Sequence, residues 1–345
     1  MISTDRKIFD RNSAVHARMI EYSREFEEMI IVIFSRREQG LKAFENGKIR
    51  VYPTSSTSRL FYIKDAIRIS RGVLGKDNLS EARADQGEAF DASQWLITTQ
   101  DPFETGLAGL TLKKRYGISL LTQIHTDLYS PYFCKFSFLN RIRLLIANIV
   151  IPQSDTVRVV SERIRKDVIA RFSAFAGSAS QVVVRPIAVN TEAIKNAPVI
   201  TSLREKNPAF RKIVIMASRL EPEKNIFFAL KAWREVIKSL PDAGLVIIGE
   251  GSQQAAISRY IAEHFKGGHV VMLPWQSDMA SMYKTSDLFL NTSYYEGYGM
   301  TLVEAKAAGL QTISTDVGVA PEIGATIIAH DDVPALAAAI VQRLK

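Results

Sequence analysis

Six short runs dense in aliphatic residues recur through the second half of the chain, at 213–217, 245–249, 269–273, 287–290, 311–314 and 326–329. Between them lie segments with apolar residues at helical spacing, at 225–239, 253–265, 300–308 and 333–344. A strand that is apolar at nearly every position has to be buried on both faces. Strands of that kind alternating with helices predict a parallel sheet covered on both sides, a doubly wound domain.

The first half follows the same pattern with more interruptions. A helix is expected at 14–26 and strands at 29–35, 95–99, 119–124, 156–160 and 182–185. A chain of 345 residues, 47% hydrophobic, exceeds one ordinary core, and the mixed-charge stretch 191–211, with little periodicity, suits a connection between two. The expected division is a domain at 1–190, a linker at 191–211 and a second domain at 212–345. Cys134 is the one cysteine, which excludes an internal disulfide framework and a four-cysteine zinc site. The polar N-terminus has no apolar core of a signal peptide, and no apolar run approaches the roughly 18 residues of a membrane span. The expectation is a cytoplasmic protein that does not cross a bilayer.

The net charge of +8 is unevenly placed. Residues 1–190 hold 28 Lys and Arg against 20 Asp and Glu, while the remaining 155 hold 16 of each. The first half is therefore suited to something anionic, such as a membrane surface or phosphorylated lipid, or it presents a basic face that is merely solvated.

In an open parallel sheet, ligands bind beyond the carboxyl ends of the strands, where loops converge and helix N-termini offer unpaired N–H groups. Polar residues follow those ends here: Ser218 and Arg219, then Glu250, Gly251 and Ser252, then Pro274 and Trp275, then 294–299. Arg219 and Lys224 share one loop and could converge on a diphosphate. Gly297 and Gly299 open the next helix, where the N–H groups of Gly299, Met300 and Thr301 could meet a phosphate. Glu296 precedes that helix and Glu304 lies within it, at most about 12 Å apart at helical rise. One carboxylate could sit at a transferred group while the other takes ribose hydroxyls, a spacing that fits a nucleotide sugar.

The run 217–225 (ASRLEPEKN), then 248–251 (IGEG), then 296–305 (EGYGMTLVEA) followed by Gly309 resembles the family 4 glycosyltransferases of the GT-B fold. Glu296 and Glu304 are similar to that family's pair of glutamates separated by seven residues. The resemblance implies two Rossmann-like, doubly wound domains with parallel sheets facing across a cleft, the first for the acceptor and the second for the donor. It implies a retaining, metal-independent transferase in which the nucleotide sugar is a substrate and no cofactor is used. Arg219 and Lys224 would then hold the diphosphate, Glu296 the sugar and Glu304 the ribose, with Glu250 and Trp275 near the nucleotide. The likeness extends to 99–104 (TQDPFE) and 123–127 (QIHTD), where His125 matches a histidine facing the donor sugar, and to 190–192 (NTE) at the start of the linker. Both ends depart from the pattern: Met1 stands at the end of the expected first strand, Asn12 and Ser13 replace a Gly-rich loop, and Lys345 precedes the closing helices. The chain is accordingly expected to be short or truncated for this architecture.

The resemblance implies transfer of a hexose or related sugar from a UDP- or GDP-sugar to a hydroxyl of a glycan or lipid-linked acceptor, in cell-envelope or exopolysaccharide synthesis. The segment 132–151 mixes aromatics and aliphatics with Lys135, Arg141 and Arg143, so it either lies in a membrane interface or forms a buried helix or loop of the first domain. The former would make the protein peripheral on the cytoplasmic face. A nucleotide-sugar epimerase or hydrolase of the same fold, acting without an acceptor, is the first rival. A phosphorylase would need a lysine placed for pyridoxal phosphate, which the pattern does not offer. A basic nucleic-acid-binding protein would explain the charge, but the basic residues are dispersed and no recognition motif occurs, so no nucleic acid is expected.

Overall fold

The computed structural model describes residues 1–78, 91–172 and 181–345. The chain forms two compact units, the first from Met1–His125 with Ser137–Arg185 and the second from Thr126–Phe136 with Pro186–Lys345.

In the first unit, β1 (Ile2–Ser3), β2 (Met29–Ile33), β3 (Phe44–Asn46), β4 (Ile49–Pro53), β5 (Leu96–Thr99), β6 (Ser119–Ile124), β7 (Thr156–Val159) and β8 (Val182–Val184) make one sheet. Its order is β3-β4-β2-β1-β5-β6-β7-β8, and every pairing is parallel except that of β3 with β4. β1 is only two residues long, yet it pairs with both β2 and β5 at the centre of the sheet. The helix Glu104–Tyr116 packs close to the strands because a Cβ at Gly109 would overlap the side chain of Thr99. It ends where Gly117 turns left-handed at φ +70°.

The second unit holds β9 (Lys212–Ala217), β10 (Ala243–Ile248), β11 (Val270–Leu273), β12 (Leu288–Asn291), β13 (Gln311–Thr315) and β14 (Thr326–Ile328), all parallel, in the order β11-β10-β9-β12-β13-β14. Counted from β9 this is 3-2-1-4-5-6, the doubly wound order whose direction reverses between the first and fourth strands. All six residues of β10 are buried. Phe228 and Trp233 of the helix Ile226–Ser239 pack on one side of the sheet together with Leu336 and Ile340 of the helix Val333–Leu344. Met282, Tyr283 and Leu302 form the core on the other side. The indole of Trp233, fully buried, donates to the His269 carbonyl at 3.1 Å, which satisfies the polar atom its burial brings inside.

Two stretches hold more structure than their sequence pattern shows. The stretch 191–211, expected as a linker, carries the helices Thr191–Asn196 and Leu203–Lys206 and groups with the second unit. Leu203 is fully buried, its N–H donates to Thr285 Oγ1 at 3.1 Å, and Arg204 pairs with Asp287 at 2.8 Å. The segment 132–151, read as one piece, is divided. Residues up to Phe136 belong to the second unit, and the helix Phe138–Val150 belongs to the first.

Candidate functional site

The reversal of strand order falls between β9 and β12, so the loops that leave these two strands diverge and open a crevice at their carboxyl ends. β9 runs into the loop 218–225 and β12 into the loop 292–299. This topology brings Arg219, Lys224, Glu296, Gly297 and Gly299 together from positions more than 70 residues apart.

Backbone contacts fasten the two loops. Tyr294 N–H donates to Glu223 O at 2.8 Å, and Thr292 Oγ1 donates to the carbonyls of Lys224 and Asn225 at 3.1 and 3.0 Å. Asn225 takes a left-handed conformation, φ +49°, between the turn Pro222–Lys224 and the helix Ile226–Ser239. Asn tolerates that region better than most residues. Its amide donates to Asp331 Oδ1 at 3.1 Å.

Lys224 Nζ donates to Glu296 Oε1 at 2.5 Å, and both side chains are largely withdrawn from solvent, 12% and 18% exposed. Ser293 Oγ donates to the same carboxylate oxygen at 2.8 Å. The ammonium has three protons, so it can hold Glu296 and still offer donors to a phosphate. The Arg219 guanidinium pairs with Glu223 at 2.9 Å, and its side chain is 70% exposed.

Gly299 stands at the N-cap of the helix Met300–Ala307 with φ +94°, a conformation in which a side chain is strained. The amides of Leu302 and Val303 are used within the helix by the Gly299 carbonyl, which leaves the amides of Met300 and Thr301 at the positive end of the dipole. Glu304 lies about one turn in and accepts from the hydroxyl of fully buried Tyr283 at 2.9 Å. Burial first, and then the Glu304 charge, push the Tyr283 phenol far above its ordinary range, so it stays a donor that orients Glu304.

Three residues were missed by sequence reasoning as parts of this site: Ser293, Tyr283 and Gly318. Gly318 lies just after β13 at φ +49°. A Cβ there would run into the Tyr298 carbonyl and press on Cβ of Glu296. The neighbouring Val319 N–H donates to Tyr298 O at 2.9 Å, so this turn buttresses the loop that carries Glu296. A glycine just beyond the carboxyl end of a strand beside the crevice was the available signal.

Glu250 and Trp275 lie further along the same end of the sheet. The Glu250 carbonyl accepts from Leu220 N–H at 2.8 Å, and Gly251 passes so close to the Leu220 backbone that a Cβ would collide with it. Glu221 accepts from both the N–H and the hydroxyl of Ser252, at 3.0 and 2.5 Å, and these contacts hold its carboxyl below the usual range. Trp275 follows β11, the edge strand, and is 54% exposed.

The segment Thr126–Phe136 also reaches this unit. Tyr132 stacks on Tyr294 with centroids 4.7 Å apart, Phe136 meets the same ring at 5.3 Å, and Phe133 stands edge-on to Tyr295 at 5.9 Å. The Lys135 ammonium lies 5.4 to 5.9 Å from the rings of Tyr294, Tyr132 and Phe136. Tyr294 donates to the Asp331 carboxylate at 3.1 Å. Burial and that carboxylate raise the Tyr294 phenol to about 12, and burial does the same for Tyr295.

His125 closes β6 in the first unit. Its Nε2 lies 3.1 Å from Gln123 Oε1, which also accepts from Arg158 at 3.1 Å. The residue is reached by solvent, yet protein surrounds its ring on most sides. Desolvation, followed by the charges of Arg158 and Arg18, holds the imidazole below its ordinary pKa, so it is neutral at pH 7. On β5's exit loop, Asp101 accepts from Phe103 N–H at 2.8 Å, and burial lifts its carboxyl to about 6.

Residues 200–341 match the family model Glycosyl transferases group 1. Over 104 residues the chain is 35% identical to the UDP-N-acetylglucosamine–peptide N-acetylglucosaminyltransferase GtfA subunit of Streptococcus pneumoniae, a match covering 30% of this chain and 20% of that protein. It is 28% identical over 131 residues to the UDP-Gal:alpha-D-GlcNAc-diphosphoundecaprenol alpha-1,3-galactosyltransferase of Escherichia coli, covering 36% of this chain and 34% of that one. These matches span a fifth to a third of the curated relatives. HepE of Anabaena, solved in complex with UDP and glucose, superposes with a TM-score of 0.69 at 18% identity, over 99% of this chain and 90% of HepE. That likeness is one of fold: two Rossmann-like units of the GT-B class.

Proposed function

We propose that the chain is a retaining glycosyltransferase of family 4, which moves a sugar from a UDP- or GDP-sugar to a hydroxyl of a glycan or lipid-linked acceptor. The relatives above act, by their names, on a peptide and on a diphosphoundecaprenol-linked sugar. The acceptor of this chain is assigned to the same broad class, used in envelope or exopolysaccharide synthesis at the cytoplasmic face of a membrane.

The observation that carries this reading is the Lys224–Glu296 pair at the β9/β12 crevice, next to the free helix start at Met300. Lys224 and the Met300 and Thr301 amides face the charge that gathers on a departing diphosphate, a preorganised electrostatic role. Arg219, on its exposed loop, adds a second cation once it exchanges Glu223 for phosphate. Glu296 is too well held by Lys224 and Ser293 to act as an attacking group, and it suits hydrogen bonding to sugar hydroxyls. Glu304, oriented by Tyr283, suits the ribose diol.

In the step proposed, the bond from C1 to the phosphate oxygen breaks and the acceptor oxygen bonds C1 on the same face. The acceptor proton passes to the departing phosphate oxygen, so neither a metal nor a cofactor is required. Neutral His125 offers a ring nitrogen to a sugar or acceptor hydroxyl.

The test is transfer from a panel of nucleotide sugars. Loss of transfer in Lys224→Ala and Glu296→Ala supports the assignment, and unchanged transfer from every donor in both variants overturns it. Incubation with donor alone separates the epimerase or hydrolase reading, which predicts turnover at the full rate without any acceptor.

A further inference from the structure

The helix Phe138–Val150 is amphipathic in the reverse of the usual sense. Phe138 is 73% exposed, Ile142 42%, Leu145 65% and Ile149 53%, whereas Ala147 and Val150 are fully buried. At about 100° per residue the four exposed side chains fall in one sector about 60° wide, and Ala147 lies diametrically opposite. The outward stripe is therefore made of large apolar groups and runs for about 16 Å along the helix. An apolar stripe of this length facing water is an interaction surface, because single exposed hydrophobics are common but aligned ones are not.

The charges beside it indicate what covers it. The helix carries two arginines and no acidic residue. Arg143 turns away from the stripe to pair with Glu104 at 3.2 Å, while Arg141 is exposed along its edge, with its guanidinium 6.0 Å from the Phe138 ring. Asn148, on the same edge one to two turns further, accepts from Arg171 Nε at 3.2 Å, which brings a second guanidinium to that border. All of the chain's excess positive charge lies in residues 1–190. A 13-residue helix is too short to span a bilayer, for which about 20 residues are needed.

We infer that Phe138, Ile142, Leu145 and Ile149 lie in the interface of an anionic lipid bilayer, with Arg141 and Arg171 at the headgroups. The stripe supplies the apolar area and the arginines the preference for negative lipid, the two components of interfacial helix binding. The inference does not depend on which reaction the crevice performs.

Co-sedimentation of the full chain with vesicles tests it, with no nucleotide or acceptor present. The chain is expected to pellet with mixed phosphatidylcholine and phosphatidylglycerol vesicles, much less with phosphatidylcholine alone, and less as salt rises. The double variant Leu145→Asp/Ile149→Asp is expected to bind at least about tenfold more weakly. Its circular dichroism and melting temperature should match the parent, since both side chains are exposed. Arg141→Glu should reduce binding to the anionic vesicles selectively. No binding at low salt, or undiminished binding by the double variant, overturns the inference. So does light scattering that shows a dimer which the double variant dissolves, since the stripe would then be covered by a second copy. A result of either sign leaves the sugar-transfer reading to its own assay.

Discussion

Tyr132 lies face to face with Tyr294 at 4.7 Å, and Tyr294 stands two residues before Glu296. Residues that leave β6 just after His125 thus pack on the loop that carries the candidate sugar-binding carboxylate. Loss of an aromatic pair costs about 0.5–1.5 kcal/mol beyond area burial. Tyr132→Ala is therefore expected to weaken donor binding, or to slow transfer, by roughly 3- to 10-fold, while Tyr132→Phe keeps the stack and stays within about twofold of the parent. Steady-state kinetics on the two variants checks this, and equal losses in both would show that the ring contact is not what positions the loop.

The Lys224–Glu296 pair makes a prediction in which stability and activity separate. Removal of the ammonium alone leaves a mostly buried carboxylate without its cation, a change that costs about 3–5 kcal/mol in well-buried pairs. Lys224→Met should lower the melting temperature clearly, and Lys224→Met/Glu296→Gln should recover most of the loss. Transfer should stay at least about 100-fold down in both variants, because the charge on the departing diphosphate is uncompensated either way. Denaturant melts beside single-turnover rates measure the two quantities independently.

What could be read from the sequence followed burial. Strands β9 to β14 lie within one or two residues of their expected positions, since β9 and β10 are buried on both faces and show it as continuous apolar runs. The crevice residues Arg219, Lys224, Glu296 and Gly299 were legible for a related reason, as each follows a strand end. β3 escaped notice because three residues are too few to show a period, and in β4 (IRVYP) Arg50 and Pro53 interrupt the apolar run. The helix Phe138–Val150 was ambiguous in a different way. Its periodicity defines an apolar face, but periodicity does not say which side of a helix meets the core. The placement of Thr126–Phe136 was hidden because contacts to Tyr294 and Tyr295 are made across about 160 residues of chain.

Gly318 gives a test of the buttress behind Glu296. Alanine there meets a left-handed φ and a collision with the Tyr298 carbonyl at once. Gly318→Ala should destabilise the chain by about 1–3 kcal/mol and weaken donor binding. Gly324→Ala also has a positive φ, +73°, but open space around the new Cβ. It should show the backbone cost without the loss of donor affinity. Melting temperature and nucleotide affinity measured on both variants distinguish strain from displacement of the loop.

Two titrating groups of the first unit give stability slopes of opposite sign. Asp101 is held protonated to about pH 6, against an ordinary value of 3.8, chiefly by burial. Its neutral form is the one the fold prefers. Its contribution is complete below about pH 4, is lost as pH rises through 6, and is constant above that. His125 is shifted the other way, with its folded pKa below the ordinary 6.5, so the fold prefers the neutral ring. That contribution is present above pH 6.5 and is lost as pH falls below it. Asp101→Asn keeps the acceptor for Phe103 N–H but removes the charge. It should match the parent near pH 4 and exceed it by roughly 1–3 kcal/mol at pH 7.5, at about 1.4 kcal/mol per pKa unit. His125→Gln should narrow the gap between stabilities at pH 7.5 and pH 5, since it deletes a group that resists protonation in the fold. Urea unfolding at pH 4, 5 and 7.5 resolves both slopes. An Asp101→Asn variant no more stable than the parent at pH 7.5 would show that its carboxylate is not disfavoured by the fold.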